Sequence, residues 1–114
     1  MQIDKIVELI FKYMIIAFDV DGTLIDLNDK PRRNILDMLK FLSSNNKIIV
    51  WSGGGKLYAE MIVRRLGLEK YIFSCCSKIG NDFIPDIAFD DELVNLGKVN
   101  IKVWILKNYN ESRK

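Results

Sequence analysis

Histidine is absent from the 114 residues. That removes Ser-His and Cys-His nucleophile pairs, histidine-ligated zinc and imidazole as a general base, and leaves acid–base work to carboxylates, lysine or cysteine. Cysteine occurs only as the adjacent pair Cys75 and Cys76, whose mutual bridge would be badly strained and would close no loop. With no second cysteine pair they are not expected to ligate zinc, and a reduced, cytoplasmic interior is expected. Two prolines and seven glycines leave no low-complexity linker. No apolar run approaches the roughly 20 residues of a membrane span. Residues 1–13 carry Asp4 and Glu8 within an apolar pattern and lead to no small-residue cleavage site, so they are not read as a secretory signal. Seventeen basic against fifteen acidic side chains give a net charge of only +2, too weak a field to demand nucleic acid or an anionic membrane. Partners must be argued from a site.

What is present is enough for one core: 49% of the residues are hydrophobic, and the chain is read as a single domain over residues 1–114. Ile3, Ile6, Val7, Ile10 and Phe11 recur at helical spacing, so residues 1–13 are expected to add an amphipathic N-terminal helix. Residues 14–18 form a continuous apolar run that stops at Asp19-Val20-Asp21-Gly22, as a buried parallel strand feeding a functional loop does. Beyond Pro31, Ile35, Met38, Leu39 and Leu42 make a second helical stripe, and residues 47–51 the next strand. A third helix is expected to carry Leu57, Tyr58, Met61, Ile62 and Leu66 and to stop at Gly67. Further strands are predicted at 71–75, 87–89 and 99–106, with a helical turn around Leu93 to Leu96 and a solvated tail at 107–114. The alternation predicts a three-layer, Rossmann-like α/β domain: a mainly parallel sheet of about five strands, helices on both faces, and ligands beyond the strands' carboxyl ends.

Asp19, Ser52 and Asp90 each end such a run. The order Asp19-Val20-Asp21-Gly22-Thr23-Leu24, then Ser52, then Lys78, then Asp90-Asp91 resembles the four motifs of the haloacid dehalogenase superfamily of aspartate-nucleophile phosphohydrolases, over residues 14–106. Phosphoryl transfer needs an in-line nucleophile, a proton donor for the leaving oxygen and cations against the equatorial oxygens. Asp19 is the candidate nucleophile, forming an aspartyl-phosphate, and Asp21 the acid and base, kept protonated by neighbouring carboxylates and a dianionic substrate. The resemblance implies that Mg²⁺ is held by Asp19, Asp90, the main chain of Asp21 and, directly or through water, Asp91, while Thr23, Ser52, Gly53 and Lys78 bind phosphate. The intervals between Thr23, Ser52 and Lys78 hold no cap domain, so an open site is expected, suited to a large or protruding phosphorylated substrate or covered by a second copy of the chain. Sugar phosphate, nucleotide, nucleic-acid end and phosphoprotein are all compatible.

Ile79 stands after Lys78 where such proteins often have proline, and the interval from Lys78 to Asp90 is short, so Lys56 competes with Lys78 as the phosphate-binding cation. The glycines before Lys56 are not a nucleotide loop, because the required spacing and hydroxyl are missing. Asp86 is read as a polar residue opening a strand. A signalling receiver domain fits less well, because its acidic pair would precede the acceptor aspartate; a non-catalytic or regulatory member that uses the pocket to bind phosphate or metal stays open, because a near-complete motif set can persist without turnover.

Overall fold

The computed structural model describes residues 14–81 and 83–104. The apolar run after residue 13 becomes the central strand β1 (Met14–Asp19), whose Ile16, Ala17 and Phe18 are wholly buried because strands flank it on both sides. β2 (Asn46–Ser52), β3 (Ser74–Ser77), β4 (Ile87–Asp90) and β5 (Val99–Lys102) complete an all-parallel sheet in the order β3-β2-β1-β4-β5. The chain starts in the middle, steps outward through β2 and β3, then returns to the other side of β1. That reversal opens a crevice beyond the carboxyl ends of β1 and β4, where this class of sheet binds ligands.

Two helices, α1 (Arg33–Ser43) and α2 (Lys56–Arg65), pack on one face. Ile35, Leu36 and Leu39 of α1 and Ala59, Ile62 and Val63 of α2 join Ile16, Phe18, Ile48, Val50 and Phe89 in the main core. Phe18 and Phe89 stack across neighbouring strands at 4.7 Å, an offset pair that adds roughly 0.5–1.5 kcal/mol beyond its buried area. The opposite face carries no helix among the described residues. There Ala17, Ile49, Trp51 and Ala88 are covered by loop side chains such as Phe83 and Leu96, because the β3–β4 and β4–β5 connections are too short to hold a helix. The expected helix over 1–13 and tail over 107–114 lie outside the described residues.

Four expectations shift. The third strand begins at Ser74 and not at Tyr71, because Glu69–Tyr71 forms a 3₁₀ turn anchored on the buried Leu68, and pairing with β2 starts where Phe73 N–H meets the Ile48 carbonyl at 2.8 Å. α2 buries Ala59, Ile62 and Val63, while Leu57 and Met61 are exposed: the small Ala59 lets that side of the helix lie closest to the sheet. The turn around Leu93 to Leu96 is irregular, since the Asn100 side chain accepts from Leu96 and Gly97 N–H and so offers these amides an alternative to helix. β5 ends at Lys102. Between Thr23 and α1 lies only a tight hairpin, with Ile25 bridged to Pro31, and between Ser52 and Lys78 only α2, the 3₁₀ turn and β3. Neither interval holds a cap.

Candidate functional site

Phe18 pairs with Phe89 in the β1–β4 register, so one step further Asp19 and Asp90 stand side by side. The two-residue strand period sends both carboxylates to the same face. Asp19 is 5% and Asp90 1% exposed. Two buried like charges demand a counter-charge, and Lys78 supplies it: its Nζ lies 2.9 Å from Asp19 Oδ1 and 2.7 Å from Asp90 Oδ2. The lysine is carried there by the turn after β3, where its backbone N–H donates to the Ser52 carbonyl at 2.9 Å. Asp91 joins the pair, and oxygens of Asp19, Asp90 and Asp91 all lie within 4.8 Å of one another.

One ammonium does not balance three carboxylates. Burial, then Asp90, pushes the Asp19 carboxyl up to about 7 against the opposing pull of Lys78. Asp91 is also raised, chiefly by burial. Burial pulls the Lys78 ammonium down, but its hydrogen bonds to Asp90 and Asp19 outweigh that and leave it raised. Two of the three carboxyls are thus held above the ordinary carboxylate range. An all-oxygen donor set of this kind suits a hard divalent ion and offers nothing to a soft one.

Ser52 ends β2, buried, with its Oγ accepting from Gly54 N–H at 2.9 Å; Gly53 is exposed in the turn that follows. Thr23 is fully buried, its N–H goes to the Val20 carbonyl, and its hydroxyl has no partner among the described residues. Asp21 is exposed and is not a member of the three-carboxylate cluster. Gly22 is required where it stands. Its φ is +83°, and a Cβ built there would run into the Asp91 carboxylate.

Two residues of this region were not singled out as polar contributors in the sequence. Tyr58 donates its hydroxyl to Asp21 Oδ1 at 2.7 Å. Arg32 donates to the Gly22 carbonyl and to the Trp104 carbonyl, both at 2.9 Å, tying the loop after β1 to the end of β5. A tyrosine within an apolar helical stripe signals core by periodicity; only its polar tip hints otherwise. Lys56 does not approach the cluster. It lines a separate cleft of about 260 Å³ with Glu60, Arg64, Glu69 and Cys75. Asp86 opens β4 as expected, accepting from Ile15 N–H at 2.8 Å and pairing with Lys98 at 3.3 Å. Both cysteines are free.

No family model, curated protein or solved structure matches the chain.

Proposed function

We propose that the protein is a Mg²⁺-dependent phosphohydrolase of the haloacid dehalogenase type, working through an aspartyl-phosphate on Asp19 in an uncapped site. The observation that carries the reading is the meeting of Asp19, Asp90 and Asp91 with Lys78 at the sheet's switch point. In the first step a carboxylate oxygen of Asp19 attacks phosphorus, the bond to the leaving oxygen breaks, and Asp21 gives that oxygen its proton. In the second, water attacks phosphorus, Asp21 takes a proton back, and the bond to Asp19 breaks to release phosphate. Lys78 and the turn after Ser52 offset charge on the phosphoryl oxygens. Asp19, Asp90 and Asp91 would hold Mg²⁺, which when bound neutralises charge on the transferring group. With no lid among the described residues, the substrate class that fits is a large or protruding phosphomonoester, a nucleic-acid end or phosphoprotein included, unless a second copy of the chain covers the mouth.

No helix among the described residues is long and apolar enough to cross a membrane.

Phosphate release from 4-nitrophenyl phosphate and a panel of phosphomonoesters, measured with Mg²⁺ and after chelation, tests the reading. Turnover that survives chelation, or none on any substrate, would overturn it. Gly22→Ala adds a second check: the displaced Asp91 is expected to weaken Mg²⁺ binding by roughly 10–100-fold, read by isothermal titration calorimetry. The left-handed backbone should cost about 1–2 kcal/mol of stability besides.

A further inference from the structure

Tyr58 spans the two loops that follow β1 and β2. Its hydroxyl donates to Asp21 Oδ1 at 2.7 Å, and a Cβ built on Gly54 would lie 3.2 Å from its ring. Gly54 in turn donates its N–H to Ser52 Oγ at 2.9 Å. One side chain from the first turns of α2 thus touches both the loop bearing the proposed acid and the turn bearing the proposed phosphate donors.

We infer that Tyr58 is a positioning residue that orients Asp21 for proton transfer, an inference that rests on the phosphohydrolase reading. An exposed aspartate on a loop samples several rotamers, and holding a catalytic group in one geometry is worth a large factor in rate. The phenolic hydrogen bond does more than hold the group still. With Oδ1 engaged as acceptor, Oδ2 is the oxygen left to carry the transferable proton, giving it to the leaving oxygen in the first step and receiving it from water in the second.

Tyr58→Phe, compared with wild type across aryl and alkyl phosphates in Mg²⁺, separates this role from a packing role. kcat/KM reports phosphoenzyme formation, in which good leaving groups need no proton and poor ones do. The variant is expected to lose on the order of ten- to a hundredfold on alkyl phosphates and less than about threefold on 4-nitrophenyl phosphate. Equal loss across the series, or no loss, would overturn the inference while leaving the phosphohydrolase reading intact; wild type without Mg²⁺-dependent turnover would sink both. A double variant with Asp21→Asn guards against altered folding. If Tyr58 acts through Asp21, adding Tyr58→Phe to Asp21→Asn costs nothing further, whereas additive losses contradict the assignment.

Discussion

Asp19→Asn is expected to abolish Mg²⁺-dependent phosphate release, by a factor on the order of 10⁴–10⁶ in kcat, while making the metal-free protein harder to unfold at pH 8. The first effect is loss of the proposed nucleophile; the second has a separate cause. Asp19 sits where burial and Asp90 disfavour its charge, so its folded carboxyl titrates near 7 where the ordinary value is 3.8. Between those values the native state holds a proton that the unfolded chain has released, and stability falls as pH rises through the window. The full shift corresponds to about 4 kcal/mol, present at pH 4 and lost above pH 7. Asparagine cannot ionise, so the variant keeps that stability. Urea midpoints in chelator from pH 4 to 8 should therefore slope downward for wild type and much less for Asp19→Asn, and Mg²⁺ should raise the wild-type midpoint most at pH 8. Parallel slopes would contradict this account of the cluster; retained turnover would remove the nucleophile.

Lys78→Met carries the largest expected loss of stability. It leaves Asp90, 1% exposed, and Asp19 facing each other with no cation between them, and breaking a buried pair from one side costs about 3–5 kcal/mol. The loss should shrink at pH 4, where Asp19 is protonated, and in Mg²⁺, if the ion binds there as proposed and offsets the same charge. Turnover should fall by roughly 10²–10³. Lys56→Met is the matched control: its cleft lies apart from the three carboxylates, so stability should change by less than about 0.5 kcal/mol. A Lys78 variant as stable as wild type at pH 8 in chelator would mean that the ion pairs contribute nothing.

The strand runs ending at Asp19 and Asp90, the serine ending β2 and the helical stripe of α1 follow from residue type and period alone. Apolar runs of that length can bury only in a central sheet, and acids do not continue them. Sequence also made the order of Asp19, Ser52, Lys78 and Asp90 visible. It left Lys56 and Lys78 as rival cations, because nothing local distinguishes two lysines that follow strand ends. Strand order accounts for where Lys78 sits: β3 lies beside β2, so the turn after it brings Lys78 onto Ser52 and between the two carboxylates. The same dependence on long-range placement hid Tyr58 and Arg32, whose partners Asp21, Gly22 and Trp104 lie on other elements. It also moved β3 to Ser74–Ser77, where pairing with β2 outweighed the apolar character of residues 71–73. Local chemistry determined which residues end the strands. Only the packed sheet decided which charges meet, because a contact between residues far apart in the chain depends on strand order and register, and neither is written in any one segment.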